Sequence, residues 1–122
     1  MDSREYALLA AEAAAEKKAG DIVVLGVAEL LVVTDYFVIA TGNTDRQVKA
    51  IADEVVERLK TAGLRPVGIE GEREARWILV DFIDVVVHVF RPEQREFYRL
   101  EKLWSDAERV PLPEEIAEDA RA

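Results

Sequence analysis

Apolar and polar positions alternate along this chain with two distinct periods, and the change of period marks its elements. An Asp2 followed three places on by Glu5 resembles a capping box, and the Ala-rich stretch after it predicts a helix over residues 3 to 19, stopped by Gly20. "IVVLGVAELLVVTDYFVIATG" is rich in Val, Ile and Leu and predicts two paired strands near 22–27 and 36–41. Thr44 and Gln47 form a second box. Val48, Ile51, Ala52, Val55, Val56 and Leu59 then recur at helical spacing up to Gly63. "RPVGIEG" predicts a short strand, and "RWILVDF" with "DVVVHVF" a hairpin in the middle of the sheet. Pro92 suits the first position of a last helix, whose Phe97, Leu100 and Trp104 fall at i, i+3 and i+7 and are expected to pack on the sheet.

The order α, β, β, α, β, β, β, α predicts an α/β layer, a mixed sheet of about five strands flanked by helices. Its 122 residues suffice for one core in one domain, expected over 1–107. Residues 108–122 carry two prolines and too little apolar surface to anchor them, and predict an acidic tail that is loose at least beyond Pro113.

Composition narrows the function. Half of the residues are hydrophobic and 34% are charged, as in folded soluble proteins. Without cysteines there are no disulfides, thiolate metal sites or cysteine nucleophiles. The N-terminal stretch is acidic, with neither the apolar core of a signal peptide nor the basic character of a transit peptide, and no run approaches a membrane span. A cytoplasmic location and no membrane partner are therefore expected. A net charge of −9 opposes phosphate backbones, so sequence-specific nucleic-acid binding is not expected. The acidic excess fits a basic protein partner as well as it fits simple solubility.

No catalytic set is expected, and no metal or cofactor. His88, the one histidine, lies in an apolar strand and reads as a hydrogen-bonded structural residue, because a metal site needs several ligands. Asp81 and Asp84 are spaced as turn formers, unlike the Asp-x-Asp of two-metal nucleotidyl transfer. Ser3 and Ser105 stand in no nucleophile elbow. Gly42 before a helix is a weak phosphate-cradle signal, with strand-to-helix turning the simpler reading. Tyr36, Phe37, Trp77, Tyr98 and Trp104 set large amphipathic or apolar side chains beside charge, which suits either a core or a binding surface.

Read in order, "DYFVIATGNTDRQVKAIADEV", the "EG" at 70–71, "WILVDF", "DVVVHVF" and "REFYRLEKLW" resemble the signature of the ribosomal silencing factor (RsfS, Iojap) family, over about Asp21 to Ala107. The resemblance implies a nucleotidyltransferase-like topology without transferase activity. It also implies a factor that binds the large ribosomal subunit through its protein numbered fourteen, blocks joining of the small subunit and so represses translation, and pairs as a homodimer when free. On that reading Glu70, Asp81 and Asp84 supply rim charge, and Trp77 and Tyr98 buried area. Two alternatives stay open: a large-subunit assembly factor using the same contact, and a nucleotidyltransferase-like enzyme working through Asp81, Asp84 and His88. Where the family usually reads Asp-Tyr-Gly-Asp, this chain reads Asp81-Phe82-Ile83-Asp84. A β-branched Ile83 resists positive φ, so a negative φ is expected there.

Overall fold

The computed structural model describes residues 1–116. Helix α1 (Ser3–Glu16) starts at the Asp2 box, with Asp2 accepting from Glu5 N and Glu5 from Asp2 N. It ends earlier than expected. Lys17 caps it, Lys18 turns at φ 64°, and Gly20 opens a strand instead of closing the helix. Helix α2 (Asp45–Thr61) begins at Thr44, whose hydroxyl accepts from Gln47 N. The Gln47 side chain does more than close a box: its Oε1 accepts from Asn43 N, and its Nε2 donates to Lys17 O and Lys18 O at 3.2 and 3.1 Å. One amide thus opens α2 and satisfies carbonyls left over at the end of α1.

Among the described residues the sheet has six strands: β1 (Gly20–Gly26), β2 (Tyr36–Thr41), β3 (Gly68–Glu70), β4 (Trp77–Asp81), β5 (Val85–Phe90) and β6 (Glu108–Arg109), in the order β3-β4-β5-β2-β1-β6. Only β2 and β5 run parallel; every other pairing is antiparallel. The expected hairpins β1–β2 and β4–β5 both form, while β6 comes from the segment read as tail. Val110 donates its N–H to Val24 O, and Val110 and Ile116 are both buried. The rest of that expected tail, 117–122, lies outside the described residues.

Period-two alternation divides the sheet into two faces. Val24, Val38, Ala40, Ile78, Val80, Val85, Val87 and Val89 face α1 and α2 and join one core with Val48, Ile51, Val55 and Leu59. The alanines of α1, among them Ala7, Ala10, Ala11 and Ala14 at 0% exposure, let that helix approach closely. Each fully buried Val, Leu or Ile here contributes about 1.5–3 kcal/mol of transfer free energy. On the opposite face Leu25, Phe37, Ile39 and Phe90 meet Leu100 and Trp104.

The last helix departs from expectation. It breaks into α3 (Pro92–Tyr98) and α4 (Leu100–Leu103) at Arg99, which adopts φ 45°, ψ 56°. The break re-aims the second half, so Leu100 and Trp104 reach the sheet while Phe97 stays 79% exposed. The expected three-residue face is therefore wrong for Phe97.

The negative φ expected at Ile83 is also wrong: it stands at φ 75°. Only Ile83 and Asp84 join Phe82 to Val85, which are linked by Phe82 N donating to Val85 O at 2.9 Å. Asp84 N donates to Phe82 O at 3.1 Å, closing a γ-turn centred on Ile83. So short a link between right-twisted strands needs a positive φ in the loop, and strand pairing overrides the residue's own preference. Asp81 Oδ1 helps hold the turn by accepting from Ile83 N at 2.8 Å. Replacing Ile83 with Gly should relieve this strain and raise unfolding free energy by about 1 kcal/mol in urea titrations. Equal or lower stability would show that the turn is unstrained.

Candidate functional site

The second sheet face is only partly roofed. Residues 92–107 lie over its β1, β2 and β5 portion, where Trp104 meets Phe37 edge-on at 6.1 Å. Toward β3 and β4 the cover ends. Register places Trp77 opposite Phe90, Leu79 opposite both His88 and Glu70, and Asp81 opposite Val86 and Gly68. Directly paired residues share a face, so Glu70, Trp77, Leu79 and Asp81 all project from this side. Trp77, Leu79, Asp81 and Val86 are half-buried and Glu70 is exposed.

Trp77 is the centre of an aromatic row. Its ring lies 5.0 Å from Phe90 and 4.5 Å from Tyr98, and Tyr98 meets Phe97 edge-on at 5.0 Å. Tyr98 and Phe97 are exposed, so the row runs from the core to the surface. Gly71 fixes the edge beside it. At φ +86° it lies flat against the strand, and a Cβ there would collide with the Trp77 carbonyl oxygen.

His88 underlies this row. Trp77 Nε1–H donates to His88 Nδ1 at 3.1 Å, which puts the imidazole proton on Nε2. The ring is 5% exposed, packs edge-on against Phe37 at 5.1 Å, and its Nε2 is buried without a partner among the described residues. Burial lowers its pKa to about 4.

The structure thus brings Glu70, Trp77, Asp81 and Tyr98 to one side of the sheet. Asp84 sits apart in the exposed β4–β5 turn, where its carbonyl oxygen accepts from Asp35 N and Tyr36 N. Asp81, Asp84 and His88 do not converge. Asp81 is engaged by the turn and His88 by Trp77. Among the described residues no group of three or more His, Cys, Asp or Glu side chains is placed to hold a metal ion. His88 is the hydrogen-bonded structural residue the sequence predicts, and what sequence reading missed is Leu79 and that the donor to His88 is Trp77. The alternation of β4 contained the first signal, since Trp77, Leu79 and Asp81 are spaced by two.

The chain is thus a small α/β domain whose half-covered sheet face carries an aromatic row and acidic edges. The profile described as "Ribosomal silencing factor during starvation" (RsfS) matches residues 1–122, and the chain belongs to that family. Ribosomal silencing factor RsfS of Bacillus subtilis is 46% identical over 107 residues, 88% of this chain and 91% of that one. A crystal structure of a Chromobacterium violaceum protein superposes with a TM-score of 0.84 at 43% identity, covering 86% of this chain and 88% of the other. Mouse "Mitochondrial assembly of ribosomal large subunit protein 1" is 40% identical over 93 residues, 74% of this chain and 41% of its own length. The family is a regulatory one, with a role tied to the ribosome. Among the described residues no helix is long and apolar enough to cross a membrane.

Folding holds His88 neutral. Between pH 6.5 and about 4 the unfolded chain binds a proton that the folded chain excludes. The His88 contribution is thus complete above pH 6.5, declines as pH falls through this window, and is lost below about 4. Its full size is about 3 kcal/mol. Wild type should lose about that much more stability than His88→Phe when urea titrations at pH 7 and pH 4 are compared. Parallel losses in the two proteins would refute the assignment, as would an NMR titration midpoint for His88 near 6.5.

Proposed function

We propose that this chain binds the large ribosomal subunit through its basic protein numbered fourteen, and that the bound module excludes the small subunit and so represses translation. The observation that carries this reading is the open side of the sheet, where Trp77 and Tyr98 form a partly exposed aromatic surface beside acidic Glu70 and Asp81. Aromatic side chains supply area at small rotamer cost, and the surrounding carboxylates complement a basic partner and steer its approach. Asp84 and the exposed Ile83 extend the rim at the β4–β5 turn. The effect is steric and needs no catalytic residue, in keeping with the scattered positions of Asp81, Asp84 and His88. The net charge of −9 favours a protein contact over a bare phosphate backbone. The same reading places the chain in the cytoplasm, where it pairs with a second copy when free.

A second reading, a large-subunit assembly factor that uses the same contact, is favoured by the name of the mouse relative.

Co-sedimentation with isolated subunits, followed by a joining assay, tests both. Trp77→Ala should weaken large-subunit binding by roughly 2 kcal/mol and Glu70→Ala by less. Trp77→Phe, which keeps a stacked ring, should recover most of the loss. Unchanged affinity in both alanine variants would remove these residues from the contact. Large-subunit binding that leaves joining intact would favour the assembly role.

A further inference from the structure

The two parallel strands of the sheet part company at their carboxyl ends. After β2 the chain turns into α2 on one face, and after β5 it turns into α3 on the other. Where neighbouring strands send their connections to opposite faces, an open α/β sheet leaves a crevice outside the strand ends, the usual place for a ligand. Here that crevice opens into a cavity of about 1010 Å³. It is at the upper end of small-molecule sites, which run from roughly 300 to 1,000 Å³. The cavity lies on the β1 side of α3, away from the Trp77 row.

Four cations line it, Arg95, Arg99, Lys102 and Arg109, in a chain whose net charge is −9. Arg95 is the most enclosed, its side chain 11% exposed. Its Nη1 donates to Thr41 Oγ1 at 2.7 Å, and its Nε and Nη2 donate to Glu101 Oε2 at 3.3 Å. A guanidinium has five N–H donors, so N–H groups remain on Arg95 with no acceptor among the described residues. Arg99 is paired with Glu96. Lys102 and Arg109 have no carboxylate within 4.0 Å among the described residues. Arg95 and Arg99 are each balanced by a lining carboxylate, Glu101 and Glu96, so Lys102 and Arg109 against Asp21 leave the lining one positive charge in excess.

The remaining walls include Val23, Pro92 and Leu112. Apolar walls beside fixed and free cations suit a ligand with a flat ring at one end and several negative charges at the other. An isolated phosphate would fill only a small part of this volume. Gly42 is a packing requirement and no phosphate cradle, since a Cβ there would press on Val48 Cγ2 at 2.8 Å.

We propose that this cleft binds a nucleoside polyphosphate, with its phosphates on Arg95, Lys102 and Arg109 and its base against Val23. The site is independent of the ribosomal contact, and its test uses no ribosomes. Isothermal titration of the full chain with ATP, GTP, inorganic tripolyphosphate and a short single-stranded RNA separates the ligand classes. ATP or GTP should bind saturably at one site. The double variant Lys102→Glu/Arg109→Glu, at exposed positions and checked for folding by its thermal melt, should weaken binding at least about tenfold. Asp21→Asn should tighten it by removing the opposing charge. Absence of saturable nucleotide binding at millimolar concentration would overturn the proposal, as would unchanged affinity in the double variant. Tripolyphosphate binding as tightly as ATP and GTP would remove the role of the base, and tighter binding of the RNA would reassign the surface to a polymer.

Discussion

Two long helices cannot cover both sides of a six-stranded sheet, and much else in this protein follows from how the shortfall is distributed. Helices α1 and α2 seal one face completely, with valines from four strands at or near zero exposure beneath them. What is left for the other face is the short, broken segment 92–107. It roofs β1, β2 and β5 and leaves the β3–β4 side half bare. The bare part keeps large side chains because they are anchored below: Trp77 rests on Phe90, and its indole N–H is held by His88. The surface is therefore preorganised, which reduces the entropic cost of meeting a partner.

His88 illustrates how a residue that suggests chemistry is turned to structure. A neutral imidazole under an aromatic row can accept one hydrogen bond and fill space; protonated, it would leave a buried charge. Among the described residues its buried Nε2 has no hydrogen-bond partner, a local cost. The β4–β5 turn carries a comparable cost, with an exposed β-branched residue in a conformation that glycine would adopt freely. Strain of this kind persists when the surrounding pairing over-determines it.

Helix α3 separates two surfaces of different character. On one flank Tyr98 belongs to the aromatic row with Trp77; on the other Arg95 and Arg99 line the large cleft. The break at Arg99 serves both, since it lets Leu100 and Trp104 tie the segment to the sheet while Phe97 and Tyr98 stay at the surface. The relatives are named for a ribosomal role. The cleft is set by topology and charge.

Much of this protein was legible before folding was considered. Capping residues at Asp2 and Thr44, the apolar period of α2 and the Val-rich strands are local or short-range signals, and they predict an α/β layer with α1, α2 and the β1–β2 and β4–β5 pairs. The motif blocks from Asp21 to Ala107 pointed to the family for the same reason, being contiguous in the chain. Tertiary structure alone decided what depends on distant partners. Strand β6 exists because β1 offers it an open edge, and two residues have too little pattern to be read. Ile83 takes a positive φ because two paired strands leave it no other path. Trp77 and His88 meet across a hairpin, and the cleft forms where two connections diverge. Such features arise from pairing and coverage among segments far apart in sequence, which no local period of apolar residues encodes.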